Sequence, residues 1–269
     1  MARAAGKGTH YTVAVLDANG EPTSSTFQLP GVTHILDTTF SKPALVYWNY
    51  RQTLAGVAHL LRRYGGKVPA DPDSLASLLK AEGKRPTDTR DSAAKGGTYA
   101  HAYLERLLNA GKRAKPRLLV EGKDDERTNG VAAWFERFEN SLDKILSLES
   151  VVLSFKGGFA GTLDLCYQTP EGETILLDLK TGGVYHTSFL QLAAYKLAWE
   201  EQGGQAIDKL VVLQCPRNGP ASFYVHTVQG PEVAVLEKSW GAALAHYKNI
   251  PKGKYKGAQV DEHPAPVLD

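Results

Sequence analysis

Apolar positions change period several times along the chain. From Tyr11 to Leu16 they alternate with polar ones, the period of a half-buried strand. Asp17-Ala18-Asn19-Gly20 then reads as a turn, and Thr26 to Leu29 as a returning strand. From Ala44 to Tyr64 the spacing lengthens to that of an amphipathic helix, with Pro43 at its start. Asp73-Ser74 opens a short second helix, Leu75 to Lys80. Lys84 to Lys95 is polar with no apolar period, the pattern of a loop. Helical spacing returns over Thr98 to Asn109, where Tyr99, Tyr103, Leu104, Leu107 and Leu108 form one stripe, and over Val131 to Leu146. Between those two helices, Lys112 to Arg127 is dense in both charges and reads as exposed.

Short apolar runs follow. Val151 to Phe155, Gly161 to Tyr167 and Thr174 to Leu179 predict three strands, and Ser188 to Glu201 a helix. Leu210 to Gln214 and Ser222 to His226 predict two more strands, and Pro231 to Lys248 a helix with proline in its first turn. Pro251 to Gly257 is a basic, flexible run. Helices first, then strands, then helix, strands and helix make an α/β fold with a central mixed sheet.

Composition narrows the class. With 42% apolar and 22% charged residues, 269 residues can build one sizeable core and are not a disordered chain. The charge is nearly balanced, 31 basic against 29 acidic residues. A tail-driven nucleic-acid binder is excluded, so basic residues must be clustered by the fold if nucleic acid is the partner. Two cysteines, Cys166 and Cys215, cannot make a disulfide framework, a four-cysteine zinc site or a four-cysteine iron–sulfur cluster. Met1 to Lys7 has no apolar leader and no run approaches the ~18 apolar residues of a membrane span, so the expectation is a cytoplasmic protein with no membrane partner.

The chemistry begins at Asp178-Leu179-Lys180. Acid-x-Lys occurs three times, also as Glu82-Gly83-Lys84 and Glu121-Gly122-Lys123, but only this one ends an apolar strand, Ile175-Leu176-Leu177. Strand periodicity puts Asp178 and Lys180 on one face, and buried charge needs a partner. The preceding strand carries Gly161-Thr162-Leu163-Asp164. If Pro170-Glu171-Gly172 is a three-residue hairpin loop, with Gly172 left-handed, the register sets Asp164 directly opposite Asp178. Their Cβ atoms then lie ~4.5–5.5 Å apart, and two carboxylates that close repel unless a cation lies between them. Mg²⁺ or Mn²⁺ suits such oxygen donors. The competing reading is a hairpin with two exposed acids. His101 and Glu105 share a helix face one turn apart, either as a functional pair or as a surface pair. Gln191 and Tyr195 have the same spacing on the helix after Lys180, where a tyrosine can equally be core.

The ordered series Gly97-Thr98-x-x-His101-x-x-x-Glu105, Gly161-Thr162-Leu163-Asp164, Asp178-Leu179-Lys180 and Gln191-x-x-x-Tyr195 resembles the RecB-type, phage-exonuclease branch of the PD-(D/E)XK nucleases. Leu29 to Leu36 and Lys42 to Trp48 are similar to the N-terminal region of phage-encoded exonucleases. The resemblance implies a restriction-endonuclease-like core: a central mixed β-sheet flanked by helices, with an N-terminal helical region. It implies that residues 1–95 contribute to DNA passage, residues 96–250 form the nuclease core, and residues 251–269 are a flexible basic tail. His101, Asp164, Asp178 and the backbone carbonyl of Leu179 would hold one or two Mg²⁺ or Mn²⁺ ions. Lys180 would orient or deprotonate the attacking water, and Glu105 would support catalysis by orienting His101 or placing a second ion. Two cysteines limit the resemblance to members without an iron–sulfur cluster.

Gln191 and Tyr195 would buttress Lys180 or contact the DNA backbone. Trp48 and Arg51 are candidates for stacking and phosphate contact, and His186 for a DNA contact. The expected activity is a metal-dependent DNA exonuclease, phage or bacterial, acting on single-stranded or resected duplex ends in recombination, replication or repair. A single-strand annealing or binding protein would be its companion. The alternatives are a structure-specific endonuclease on the same scaffold and a catalytically degenerate DNA-binding module.

Overall fold

The computed structural model describes residues 2–5, 9–19, 21–41, 43–111, 126–216 and 222–250. In chain order the elements are β1 (Ala2–Ala5), β2 (His10–Leu16), β3 (Pro22–Pro30), α1 (Val32–Thr39), α2 (Pro43–Arg63), α3 (Pro72–Ala81) and α4 (Pro86–Ala110). Then come α5 (Glu126–Phe138), a 3₁₀ turn at Glu139–Ser141, β4 (Lys144–Ser154), β5 (Phe159–Gln168) and β6 (Thr174–Lys180). The chain continues with α6 (His186–Glu201), β7 (Lys209–Gln214), β8 (Tyr224–Gln229) and α7 (Pro231–Asn249). No described helix is long and apolar enough to cross a membrane.

The central sheet has the order β4-β5-β6-β7-β8 and is mixed as expected. Only β6 and β7 run parallel, because α6 crosses over between them; the other neighbours are antiparallel. Helices cover both faces, so β6 reads as a continuous apolar run. Alternation inside that run sorts the residues. Leu176, Leu210 and Val212 pack under α6, α7 and α1 with Leu190, Ala194 and Trp240. Ile175, Leu177, Leu179, Val211 and Leu213 pack under α4 and α5 with Tyr103, Leu107 and Trp134. Each such burial is worth ~1.5–3 kcal/mol.

The first three strands form a separate antiparallel sheet, order β1-β2-β3. Its buried residues Tyr11, Val13 and Leu29 rest on Leu153 and Ala160 of the β4–β5 hairpin. Gly31 makes a parallel bridge to Ala160, and α1 then inserts Val32, Ile35 and Leu36 into the layer under α6.

Two expectations are corrected. Lys84 to Lys95 is not a loop: α4 is one helix of 25 residues, beginning at Pro86. Arg85 starts it, its backbone N–H donating to Asp88 Oδ2 at 2.9 Å and its guanidinium to Asp88 Oδ1 at 2.8 Å. The first half has no apolar period because it faces no core: residues 90–95 are all exposed. Periodicity reports burial, not helicity. Nor does the helix from Val131 reach Leu146. It ends at Phe138, and Lys144–Leu148 instead open β4, pairing with Gln168–Leu165. A short apolar run is ambiguous between the two periods, and the open edge of β5 decided it. Lys112 to Asp125 and the run from Pro251 lie outside the described residues.

Candidate active site

The hairpin between β5 and β6 turns at Pro170-Glu171-Gly172, with Gly172 at φ +87° and Thr169 N–H donating to the Glu173 carbonyl at 2.9 Å. Side chains other than glycine's are strained at that φ. The register is the expected one: Gln168 pairs with Thr174, Tyr167 with Ile175, Cys166 with Leu176 and Leu165 with Leu177. The next pair would be Asp164 with Asp178, but the ladder ends at Leu165–Leu177. In its place Asp164 Oδ2 accepts the Leu179 backbone N–H at 2.7 Å. A carboxylate thus replaces a carbonyl in the sheet and leaves its second oxygen for other work.

Three further groups meet that carboxylate or its neighbour. His101, on α4, has Nδ1 3.4 Å from Asp164 Oδ1 and 3.3 Å from Glu149 Oε1. Glu149 lies on β4 between the Leu148–Leu165 and Ser150–Leu163 pairs, which brings it beside Asp164. Its φ of +44° is the only positive value for a non-glycine among the described residues. Such a conformation costs ~1–3 kcal/mol and persists where the surroundings impose it. The oxygens and nitrogen of His101, Glu149 and Asp164 come within 4.8 Å of one another, a spacing that could hold one cation.

Asp178 stands apart from that trio. It is 1% exposed, and Lys180 Nζ lies 2.7 Å from its Oδ2. The contact is an ion pair, and among the described residues this oxygen accepts no well-formed hydrogen bond. Lys180 Nζ donates to Gln191 Oε1 at 3.1 Å, and Gln191 Nε2 donates to Tyr195 Oη at 2.7 Å. The spacing of Gln191 and Tyr195 on α6 therefore makes a relay that fixes the lysine. The glycine at the head of Gly161-Thr162-Leu163-Asp164 has a reason in the same place. A Cβ on Gly161 would lie 2.2 Å from the Tyr195 ring.

The charges hold one another. Burial by itself would push Asp164 up, but His101, Lys180 and the Leu179 N–H hold it below the usual carboxylate value. Burial raises Asp178 to about 6, with the Asp164 charge adding to it and Lys180 opposing it. Burial works against a charge on Lys180, and the carboxylates of Asp178 and Asp164 override it, raising its pKa. Burial likewise disfavours a charged His101, yet Asp164 and Glu149 lift it to about 10. The protonated imidazole offsets the charge of the two carboxylates beside it.

Of the remaining expected residues, Leu179 lies at the site, and no hydrogen bond or ion pair among the described residues joins the others to it. Glu105 is exposed, and the carboxylates beside His101 are those of Glu149 and Asp164. Leu179 is buried, with its N–H taken by Asp164. His186 is exposed at the first position of α6. Trp48 is half-buried and Arg51 exposed on α2, and no hydrogen bond or ion pair of the site reaches either. Glu149 was not expected. Its signal is the one that marked Asp164, an acid interrupting apolar residues in a strand, but the stretch before it reads as helix.

Residues 74–260 match the sequence model of the PD-(D/E)XK nuclease superfamily, more than half of the chain. No curated protein sequence matches. Among solved structures, the protein SSO0001 is similar at 16% identity over 41% of this chain and 54% of its own, with a TM-score of 0.28. The chain thus spans about half the length of that protein. A candidate exonuclease from Eubacterium rectale is similar at 12% identity over 58% of this chain and 67% of its own, with a TM-score of 0.35.

Proposed function

The chain belongs to the PD-(D/E)XK nuclease superfamily, and we propose that it is a metal-dependent DNA exonuclease. The observation that carries this reading is the broken ladder beyond Leu165–Leu177. There one strand end offers Asp164 to His101 and Glu149, and the other offers Asp178 and Lys180. His101, Glu149, Asp164, Asp178 and the carbonyl of Leu179 would hold Mg²⁺ or Mn²⁺. One imidazole nitrogen among hard oxygens suits either ion. Held there, such an ion would supply Lewis-acid polarisation of the scissile phosphate and a lowered pKa for water at the site.

The chain's own residues do the rest. Lys180, steadied by Gln191 and Asp178, directs N–H donors at the attacking water and offsets negative charge that develops on the phosphate. Tyr195 and Gln191 keep that ammonium from swinging away. Glu149 would add a carboxylate ligand beside His101. Arg51, Trp48 and His186 contact DNA away from the reacting atoms. The substrates are single-stranded or resected duplex ends, in phage or bacterial recombination, replication or repair, in the cytoplasm and alongside a single-strand annealing protein.

The test is incubation of the purified chain with Mn²⁺ or Mg²⁺ and three labelled DNAs: linear single-stranded, linear duplex and circular single-stranded. Linear DNA should shorten from an end, and the circle should remain intact. Chelation, Lys180→Ala and Asp164→Ala should each stop the reaction. Cutting of the circle would overturn the exonuclease reading, and full activity in both variants would remove the assigned site.

A further inference from the structure

The sheet continues past Lys180 to β8, its last strand among the described residues, and its register draws a path. The parallel β6–β7 pair sets Gln214 beside Lys180, and the antiparallel β7–β8 pair sets Tyr224 beside Gln214. Neighbours directly across a sheet project from the same face. Lys180, Gln214 and Tyr224 therefore make one row over three strands, on the face that α6 covers further in. The row behind it is Asp178, Val212 and His226. Val212 is fully buried under α6, whereas one row outward Tyr224 is 54% exposed. The sheet thus emerges from its helix at the row that contains the lysine.

Gln214 is held at both ends of its amide. Nε2 donates to the Gly182 carbonyl at 2.8 Å, and Oε1 lies 3.2 Å from His226 Nε2. It ties the row to the loop between β6 and α6, where Tyr185 is 59% exposed. A Cβ on Gly183 would lie 2.8 Å from the Tyr185 hydroxyl, so that ring rests on bare backbone. Two exposed tyrosines flank an amide with one N–H to spare. No acid occurs in the sequence from Lys209 to Gly230, in a chain with 29 of them. A lysine, amide donors, exposed aromatic rings and no acid on β7 or β8 suit a single nucleic-acid strand: cationic and polar groups for phosphate and sugar, π-faces for bases.

We propose that this row is the track for the DNA strand next to the scissile phosphate, with Tyr224 as the platform on which a base stacks. Gln214 and His226 position the sugar–phosphate backbone. The inference rests on the nuclease reading and goes beyond it by assigning residues outside the reacting centre. Two strand spacings separate Lys180 from Tyr224, about 10 Å. At ~3.4 Å per stacked step, that is on the order of three nucleotides from the cut.

Steady-state cleavage of a linear single-stranded oligonucleotide with Mn²⁺ tests it. Tyr224→Ala should raise KM about 5- to 100-fold, the range that base–aromatic stacking energies correspond to, with kcat held. Tyr224→Phe keeps the ring and should restore KM. A single abasic residue walked along the substrate should raise KM for the wild type at one offset, and Tyr224→Ala should no longer feel it. Wild-type KM in Tyr224→Ala, or an abasic penalty that persists in that variant, overturns the track. A wild type that cleaves no DNA overturns the nuclease reading itself. A wild type that cleaves, a silent Lys180→Ala and an unaffected Tyr224→Ala overturn the track alone.

Discussion

The closed and open ends of the β5–β6 hairpin are built from the same two strands, yet their chemistry is opposite. Toward the turn, Leu165, Cys166, Leu176 and Leu177 are apolar and almost wholly buried, and the ladder is regular. One residue beyond, Asp164 and Asp178 are nearly as buried, at 7% and 1%, but charged, and the ladder stops. Burial stabilises the first end and penalises the second, since each carboxylate must be compensated by a cation or a hydrogen-bond donor. The comparison teaches that the apolar end does not merely coexist with the site. It holds the register that sets two costly carboxylates just beyond the last paired residues of adjacent strands.

That contrast can be broken from either side. Leu176→Ala, at the closed end, should lower the unfolding free energy by ~2–5 kcal/mol in urea, while the protein still folded keeps its activity. Asp164→Asn, at the open end, should do the reverse. It retains an acceptor for the Leu179 N–H, so the urea midpoint should hold, but kcat should fall on the order of 10²- to 10³-fold, the loss expected when a transition-state-stabilising group is removed. Mn²⁺ at 100 times its dissociation constant should stabilise the wild type by ~2.7 kcal/mol, read as a rise in Tm. That rise should vanish in Asp164→Asn and His101→Ala.

Smaller effects sharpen the picture. Gly161→Ala forces a methyl against the Tyr195 ring and should cost ~1–3 kcal/mol, with activity reduced because Tyr195 steadies Gln191 and so Lys180. Glu149→Gly releases the strained φ but removes a carboxylate paired with His101 and adds a glycine inside a strand, so the stability of the metal-free protein should change by less than about 1 kcal/mol while Mn²⁺ binding weakens. Calorimetric titration and urea unfolding of the same variant separate the two effects. A Glu149→Gly protein that binds Mn²⁺ as the wild type does would return that residue to a structural role.

What could be read in advance follows from how far apart the causes lie in the chain. The β5–β6 register was legible because a three-residue loop with a left-handed glycine leaves little choice of pairing. β5, β6, β7, α6 and α7 were legible because their apolar residues face a core and carry its period. The polar half of α4 was not, because a helix without a buried face has no such period. Nor was the start of β4, where Ile145 and Leu146 fit either period until β5 supplies an edge to pair with.

The sequence by itself determined the mixed sheet, the pairing frame of β5 with β6, and the one-turn helical spacing of Gln191 and Tyr195. These are local matters of turn conformation and side-chain period. Only the tertiary structure decided that His101 would meet Glu149, 48 residues further along, and not Glu105 one turn away. It also decided that Asp178 would be held by Lys180 while Asp164 bridges to His101. Those choices depend on how α4 lies across β4 and β5, which is fixed by packing of the whole core and has no signature in any short stretch of chain.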